Sequence, residues 1–455
     1  MTVGPSAYGA QALGVMTGLA RSMQLSWRPY SFTFRCALYH SFSVAFINYY
    51  SKPSLTFPRH IVAHSCFSTS RNFPTQGFDI IDKSETVEEE SLSNYNPKLF
   101  YPGKLGEVLN NRYQIVGKLG YGTSSTVWLG RDLRKQRYKV LKIFTATSPV
   151  TEEIKVYDHL NGLHSDHADQ SCIRKLFDHF EISGSHGTHT CLVHQPLGMN
   201  LHQLRKLFPD RALNKVLLKT TLRNILAALD FLHSEAEVIH TDLQPNNIML
   251  GIKDEKILSQ FEDAEFESPI PRKVEAHRTI YLSRHLAMSY GTPVLCDFGE
   301  AGIGTENHAE DIMPDVYRAP EVILQIPWNC KVDIWNVGVL TWDLFEGQQL
   351  FQARDAQGNL DDAHHLAEMQ AILGPPSDFV QRGEKYSLFW DKNGDWKPDI
   401  PIPAYNLETL EEKLEGDDKC RFLQFMRRML CWSPDDRATA KELLLDPWLM
   451  EGLFK

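Results

Sequence analysis

Acidic residues are absent from the first 78 positions of this chain, a stretch that holds six basic ones, Arg21, Arg28, Arg35, Lys52, Arg59 and Arg71. The whole sequence has 47 Lys and Arg against 57 Asp and Glu, so positions 79–455 set 41 basic residues against 57 acidic ones, a balance of −16. The chain is therefore two chemically different pieces. An acid-free, Ser-rich, Arg-dotted start has the composition of an organellar transit peptide, with positions 59–71 suiting its end. A plain extension is the alternative reading, and a mitochondrial location follows only from the first. The acidic remainder suits a basic partner, although solubility alone would account for such a balance.

Long apolar runs are also missing. The uncharged, apolar-leaning stretch at positions 36–51 carries His40, Ser41, Ser43 and Asn48, too short and too polar for the roughly 20 apolar residues that span a bilayer. No membrane span is expected. The eight cysteines form no C-x-x-C pair and no close Cys/His cluster, which supports neither a zinc site nor a disulfide framework; scattered reduced thiols are the expectation. No tandem repeat or heptad pattern is present.

What is there falls into two textures. From Tyr113 to Phe144, alternating residues around Gly-containing turns predict antiparallel strands, whereas Leu218, Leu222, Ile225, Leu229 and Leu232 recur at steps of four and three, one face of a helix. Strands followed by helices predict two lobes of an α+β chain. We expect an extension over 1–78, a linker and lead-in over 79–112 whose acidic stretch 79–90 is the linker, and a two-lobed body over 113–449. Its smaller lobe is drawn over 113–197 and its larger over 198–449, with a charged insert at about 252–290.

Gly120-Tyr121-Gly122-Thr123-Ser124-Ser125-Thr126-Val127 sits between two predicted strands, where glycines let backbone N–H groups approach phosphates. Alone it is a weak signal. Fifteen residues on, Lys142 lies on an apolar strand, where a cation held by a helix glutamate can grip phosphates; Glu153 is the candidate partner and Glu152 its rival. The sharpest signal is Ile239-His240-Thr241-Asp242-Leu243-Gln244-Pro245-Asn246-Asn247, followed by Cys296-Asp297-Phe298-Gly299. An Asp and an Asn five apart on one loop can take a hydroxyl proton and ligate Mg²⁺ respectively, and Asp297 supplies a second oxygen to the metal.

On these residues the chain resembles the eukaryotic protein kinases over about 113–449. The resemblance extends to Ala319-Pro320-Glu321, to Asp333 on a buried helix and to Arg437 as the partner of Glu321. Within that family it is most similar to the SR-protein kinases and their fungal relatives, through Tyr95 to Pro102, Ser125 to Leu129, Cys191-Leu192-Val193 and His-Thr-Asp at 240–242. The resemblance implies a two-lobed kinase fold and a serine/threonine protein kinase. It would be a monomer that uses ATP and Mg²⁺ on protein substrates, among them Arg/Ser-rich ones, with no direct nucleic-acid partner and a cytoplasmic and nuclear location. It places Lys142, Glu153, Asp242, Asn247 and Asp297 in catalysis, the last two asparagine and aspartate on the metal. Leu119, Gly120, Gly122, Ser125, Val127, Gln195 and Leu197 would lie around the nucleotide, with the Gln195 carbonyl and the Leu197 N–H reading adenine.

The sequence departs from the family pattern at three places. Gln244 stands where most protein kinases have a lysine, which implies slower turnover; His194 is the residue behind the nucleotide base; and Ala371 stands where the SR-protein kinases carry an acidic docking residue, while Asp361 and Asp362 remain. A pseudokinase, binding nucleotide without turnover, is the alternative reading. The segment from Gly299 to Glu321 has Thr305 as its only Ser or Thr, and Thr241 cannot pair with a phosphate as arginine would, so activity without activation-loop phosphorylation is expected.

Overall fold

A computed structural model describes residues 69–165, 167–305 and 308–453. The proposed presequence up to position 68 and Glu306 lie outside the described residues. The smaller lobe is a six-stranded antiparallel sheet of β1 (Val108–Leu109), β2 (Tyr113–Tyr121), β3 (Ser125–Asp132), β4 (Arg137–Phe144), β5 (Leu176–Gly184) and β6 (Gly187–His194), in the order β1-β2-β3-β4-β6-β5. Helix α1 (Thr151–Gly162) crosses from β4 to β5 and buries Val156, Tyr157 and Leu160.

The larger lobe is built on α2 (Lys215–Phe231), capped by the Asn214 side chain accepting from the Leu217 N–H. All five residues of its predicted apolar face are at most 2% exposed. Two short strand pairs shape the catalytic end. β7 (Val238–Ile239) pairs with β12 (Gly302–Ile303), and β8 (Ile248–Leu250) pairs with β11 (Pro293–Leu295) in antiparallel register, Ile248 opposite Leu295. That second register brings Asn247, just before β8, beside Cys296 and Asp297, just after β11, with the Cys296 N–H donating to the Asn247 carbonyl at 2.8 Å. Residues some fifty positions apart thus meet because one pair of strands closes the loop between them.

The segment inside that loop is the expected insert, and it docks on the smaller lobe. Its helix α3 (Lys256–Glu267) lays Leu258 and Phe261 on Val116 and Leu129 of the sheet, together with Phe73 from the lead-in. The close approach depends on Gly117, where an added Cβ would stand 2.6 Å from the Phe261 ring. Strands β9 (Arg272–Val274) and β10 (Thr279–Tyr281) complete the insert. Four of its charges, Glu262, Glu265, Arg272 and Lys273, are buried and paired: Glu262 with Arg71 (3.3 Å) and Arg131 (3.5 Å), Glu265 with Arg272 (3.3 Å) and Arg284 (3.1 Å), Lys273 with Glu90 (2.8 Å). Residues 69–78, drawn above as part of a detached extension, are folded onto this body: Gln114 exchanges hydrogen bonds with the Arg71 backbone and Phe73 stacks on Phe266 at 4.8 Å.

Candidate active site

Between the lobes lies a cleft of about 780 Å³. Leu119, Gly120, Gly122, Ser125, Val127, Lys142, Glu153, Leu197, Asp242, Asn247 and Asp297 all line it, so eleven residues named from sequence converge on one cavity. Gly120 and Gly122 have no atom within 4 Å of where a Cβ would be, so the backbone there stands open to a ligand.

Lys142 extends from β4 to Glu153 on α1, 3.2 Å from both carboxylate oxygens, and to Asp297 Oδ1 at 3.0 Å. This resolves the choice between two glutamates: Glu152 is exposed and pairs with Lys155 at 2.7 Å. Burial opposes charge on Lys142, but Asp297 and Glu153 outweigh it and raise its pKa. Burial likewise pushes Asp297 up, and the Lys142 ammonium more than offsets this, holding the carboxyl below its usual range. Asp297 is therefore a carboxylate suited to a cation.

The loop carrying Asp242 is held from beneath. Asp333, on α4 (Lys331–Glu346), is fully buried and accepts from the His240 N–H (2.9 Å) and the Thr241 N–H (2.8 Å), with His233 Nε2 at 2.8 Å. Thr241 adopts φ +64°, and its hydroxyl donates to the Glu300 carbonyl at 2.7 Å, tying the loop to the segment after Asp297. The His240 ring meets Phe298 at 5.1 Å, Phe298 meets Tyr157 at 5.3 Å, and Tyr157 meets His194 at 5.3 Å. This aromatic column links both lobes behind the site. Further on, Arg437 makes two hydrogen bonds to Glu321, 2.6 and 2.7 Å, with both side chains wholly buried.

Asp242 accepts from Asn247 Nδ2 at 2.6 Å and from Gln244 Nε2 at 2.8 Å. Burial raises its pKa, which makes it a better proton acceptor than a solvated aspartate. Because Asn247 donates to Asp242 with its nitrogen, its amide oxygen is left available as a hard donor, as is the Asp297 oxygen that Lys142 does not take. Among the described residues no cluster of three or more His, Cys, Asp or Glu could hold a metal. Two protein oxygens complemented by phosphates and water are what Mg²⁺ takes at such sites, so Asn247 and Asp297 fit it.

One named residue behaves differently. Gln195 does not line the cleft, and its carbonyl, expected to read adenine, accepts from Arg174 Nε (3.3 Å) and Nη2 (3.2 Å). Arg174 itself lines the cleft, as do Arg284, His285 and Leu286 from the insert. Sequence reasoning missed all four, since no motif spacing marks them. Arg284 is placed by its N–H donating to the Lys118 carbonyl of β2 at 2.9 Å.

Comparison with known proteins agrees with this geometry. The model of the protein kinase domain matches residues 113–449. A serine/threonine protein kinase of Aspergillus fumigatus is 45% identical over 382 residues, covering 83% of this chain and 94% of its own length. The SRPK serine/threonine-protein kinase of Physarum polycephalum is 32% identical over 393 residues, covering 80% and 92%, and mouse SRSF protein kinase 3 is 24% identical over 518, covering 80% and 91%. With the paired lysine, the buried aspartate and the oxygen pair all in place, the chain belongs to the protein kinase family, on its serine/threonine, SR-protein kinase-like side.

Proposed function

We propose that this kinase transfers the γ-phosphoryl group of Mg-ATP to serine hydroxyls flanked by arginine. Lys142, held by Glu153, grips the phosphates; Asp242 orients the hydroxyl and takes its proton; Asn247 and Asp297 hold Mg²⁺, which when bound neutralises charge on the phosphates. Nothing in the site favours the pseudokinase alternative.

The observation that carries the substrate class is a pocket of about 350 Å³ lined by Asp315, Arg318, Asp361 and Asp362, beside α5 (Asp362–Leu373). Arg318 partly neutralises it, lying 3.0 Å from Asp311 and 3.7 Å from Asp315, and Lys385 lies 3.7 Å from Asp362. Glu300 and Glu310, on the segment between Asp297 and Glu321, add exposed carboxylates. The names of the Physarum and mouse relatives support the same class. The test compares kcat/KM for peptides with Arg, Ala or Glu flanking one serine. A preference for Arg of about tenfold or more is expected, with a KM that rises with salt. Equal values for all three peptides would remove the substrate class and leave the kinase standing. A cytoplasmic and nuclear location accompanies this reading, and mitochondrial fluorescence from a fusion of residues 1–78 would replace it.

A further inference from the structure

The back of the nucleotide cleft carries polar groups that phosphoryl transfer does not use. His194 is 1% exposed, lines the cleft, and has no hydrogen-bond partner at either ring nitrogen; the Lys175 carbonyl lies alongside without normal hydrogen-bond geometry. The Tyr157 hydroxyl next to it is likewise buried and unpartnered. Arg174 reaches the same region, donates twice to the Gln195 carbonyl and forms no ion pair among the described residues. Burial, with the charges of Arg174 and Lys142, pushes the His194 pKa well below 6.5, so its ring is neutral, a donor at one nitrogen and an acceptor at the other.

These groups change what the pocket asks of a purine at position 6. A 6-amino group needs an acceptor, and the hinge carbonyl that would supply one is already engaged by a guanidinium. An oxygen at position 6 meets the opposite situation, since both Arg174 and His194 can direct N–H groups at it. Buried donors left unpaired are costly, so the pocket gains from a ligand that satisfies them. Neutral His194 still offers an acceptor face to ATP, which keeps both base types compatible with one wall.

We propose that the base pocket admits nucleoside triphosphates bearing oxygen at purine position 6, the class of GTP and ITP, as phosphoryl donors beside ATP, with Arg174 and His194 as the specificity-determining residues. The proposal rests on the kinase reading above. The reaction is the same with either base: the serine oxygen bonds to the γ-phosphorus, the bond from that phosphorus to the β–γ bridging oxygen breaks, the nucleoside diphosphate leaves with the electron pair, and the serine proton passes to Asp242.

ITP is the deciding probe, because it changes position 6, and with it N1 from an acceptor to an N–H donor, without adding the 2-amino group of guanine. In the full-length chain, kcat/KM is measured for ATP and ITP on one Arg/Ser peptide, and each nucleotide is titrated against a bound fluorescent ATP analogue. ITP is expected within about a hundredfold of ATP, whereas a site that hydrogen-bonds only a 6-amino group would reject it by about 10⁴. Arg174→Met should lower the ITP-to-ATP ratio about tenfold or more, and Arg174→Lys should retain part of it. His194→Phe gives an independent reading should the Arg174 variants not fold. A purely structural role for either residue would weaken both nucleotides alike and leave the ratio unchanged. Loss of ITP beyond a hundredfold in both assays overturns the proposal, as does a ratio unmoved by both Arg174→Met and His194→Phe. Absence of turnover with ATP would instead sink the kinase reading, and the displacement assay would still decide the pocket.

Discussion

Asp242 sits in a web of neutral amides, Gln244 on one oxygen and Asn247 on the other, and no cation stands where most kinases place a lysine. In the proposed mechanism it would orient the hydroxyl and accept its proton, and charge stabilisation would fall to Lys142 and Mg²⁺. Asp242→Asn keeps the shape and removes the proton acceptor, and Asp297→Asn removes a metal oxygen. Each is expected to lower kcat about a hundredfold or more while leaving the melting temperature near that of the parent. Near-normal phosphorylation by Asp242→Asn would displace it from this role. A second titratable group concerns stability. His365, on α5, is 2% exposed, packs against Phe351 at 5.1 Å, and burial, aided by the Arg318 charge, pushes its pKa down to about 3. The unfolded chain takes up this proton near 6.5 and the folded chain does not. The stability His365 supplies is thus complete above pH 6.5 and drains away as pH falls toward 3, about 2 kcal/mol of it between pH 7 and 5. His365→Phe keeps a ring in place and should shallow the fall in melting temperature over that interval; identical slopes would refute the assignment.

At the scale of elements, the insert shows how far the sequence could be read. Its boundaries were legible, because Gly251 and Gly291 and the charged runs between them break the catalytic pattern. Its docking was not. Glu262, Glu265, Arg272 and Lys273 look like a solvated surface in the sequence, yet each is at most 5% exposed: Glu262 and Lys273 meet partners on distant segments, and Glu265 and Arg272 meet each other as the insert folds back on itself. Motifs whose spacing is local, such as Asp242 to Asn247, were readable; the Arg174 contact with the hinge was not, since a lone arginine before a strand carries no spacing signal. Gly117 tests the docking directly. Phe261 fills the space where a Cβ would be, so Gly117→Ala should cost about 1–3 kcal/mol through overpacking. Thermal unfolding checks this, and Phe261→Leu in the same background should recover part of the loss. No change on adding the methyl would mean that α3 does not press on the sheet as described.

Across the whole molecule, one set of contacts joins lead-in, sheet and insert. Lys118 on β2 pairs with Glu88 at 3.2 Å and also with Glu89; Lys273 of the insert takes Glu90; Ser283 donates to Glu88; and Arg71 and Phe73 pack on α3. The acidic stretch 79–90 that read as a linker therefore fastens the smaller lobe. Lys118 is 1% exposed, so removing its glutamates would leave a buried ammonium without a counter-charge, one of the costlier changes a lobe can suffer. Two truncations separate the segments on either side of this clamp. A chain starting at position 69 keeps every contact named here and should match the full-length chain in kcat and in melting temperature. A chain starting at position 108 loses Arg71, Phe73 and Glu88–Glu90 together, and should unfold at lower temperature with a raised KM for ATP, because β2 and the glycine loop that follows it are no longer held. Equal melting temperatures for the two would show that the lead-in only lies on the lobe without supporting it.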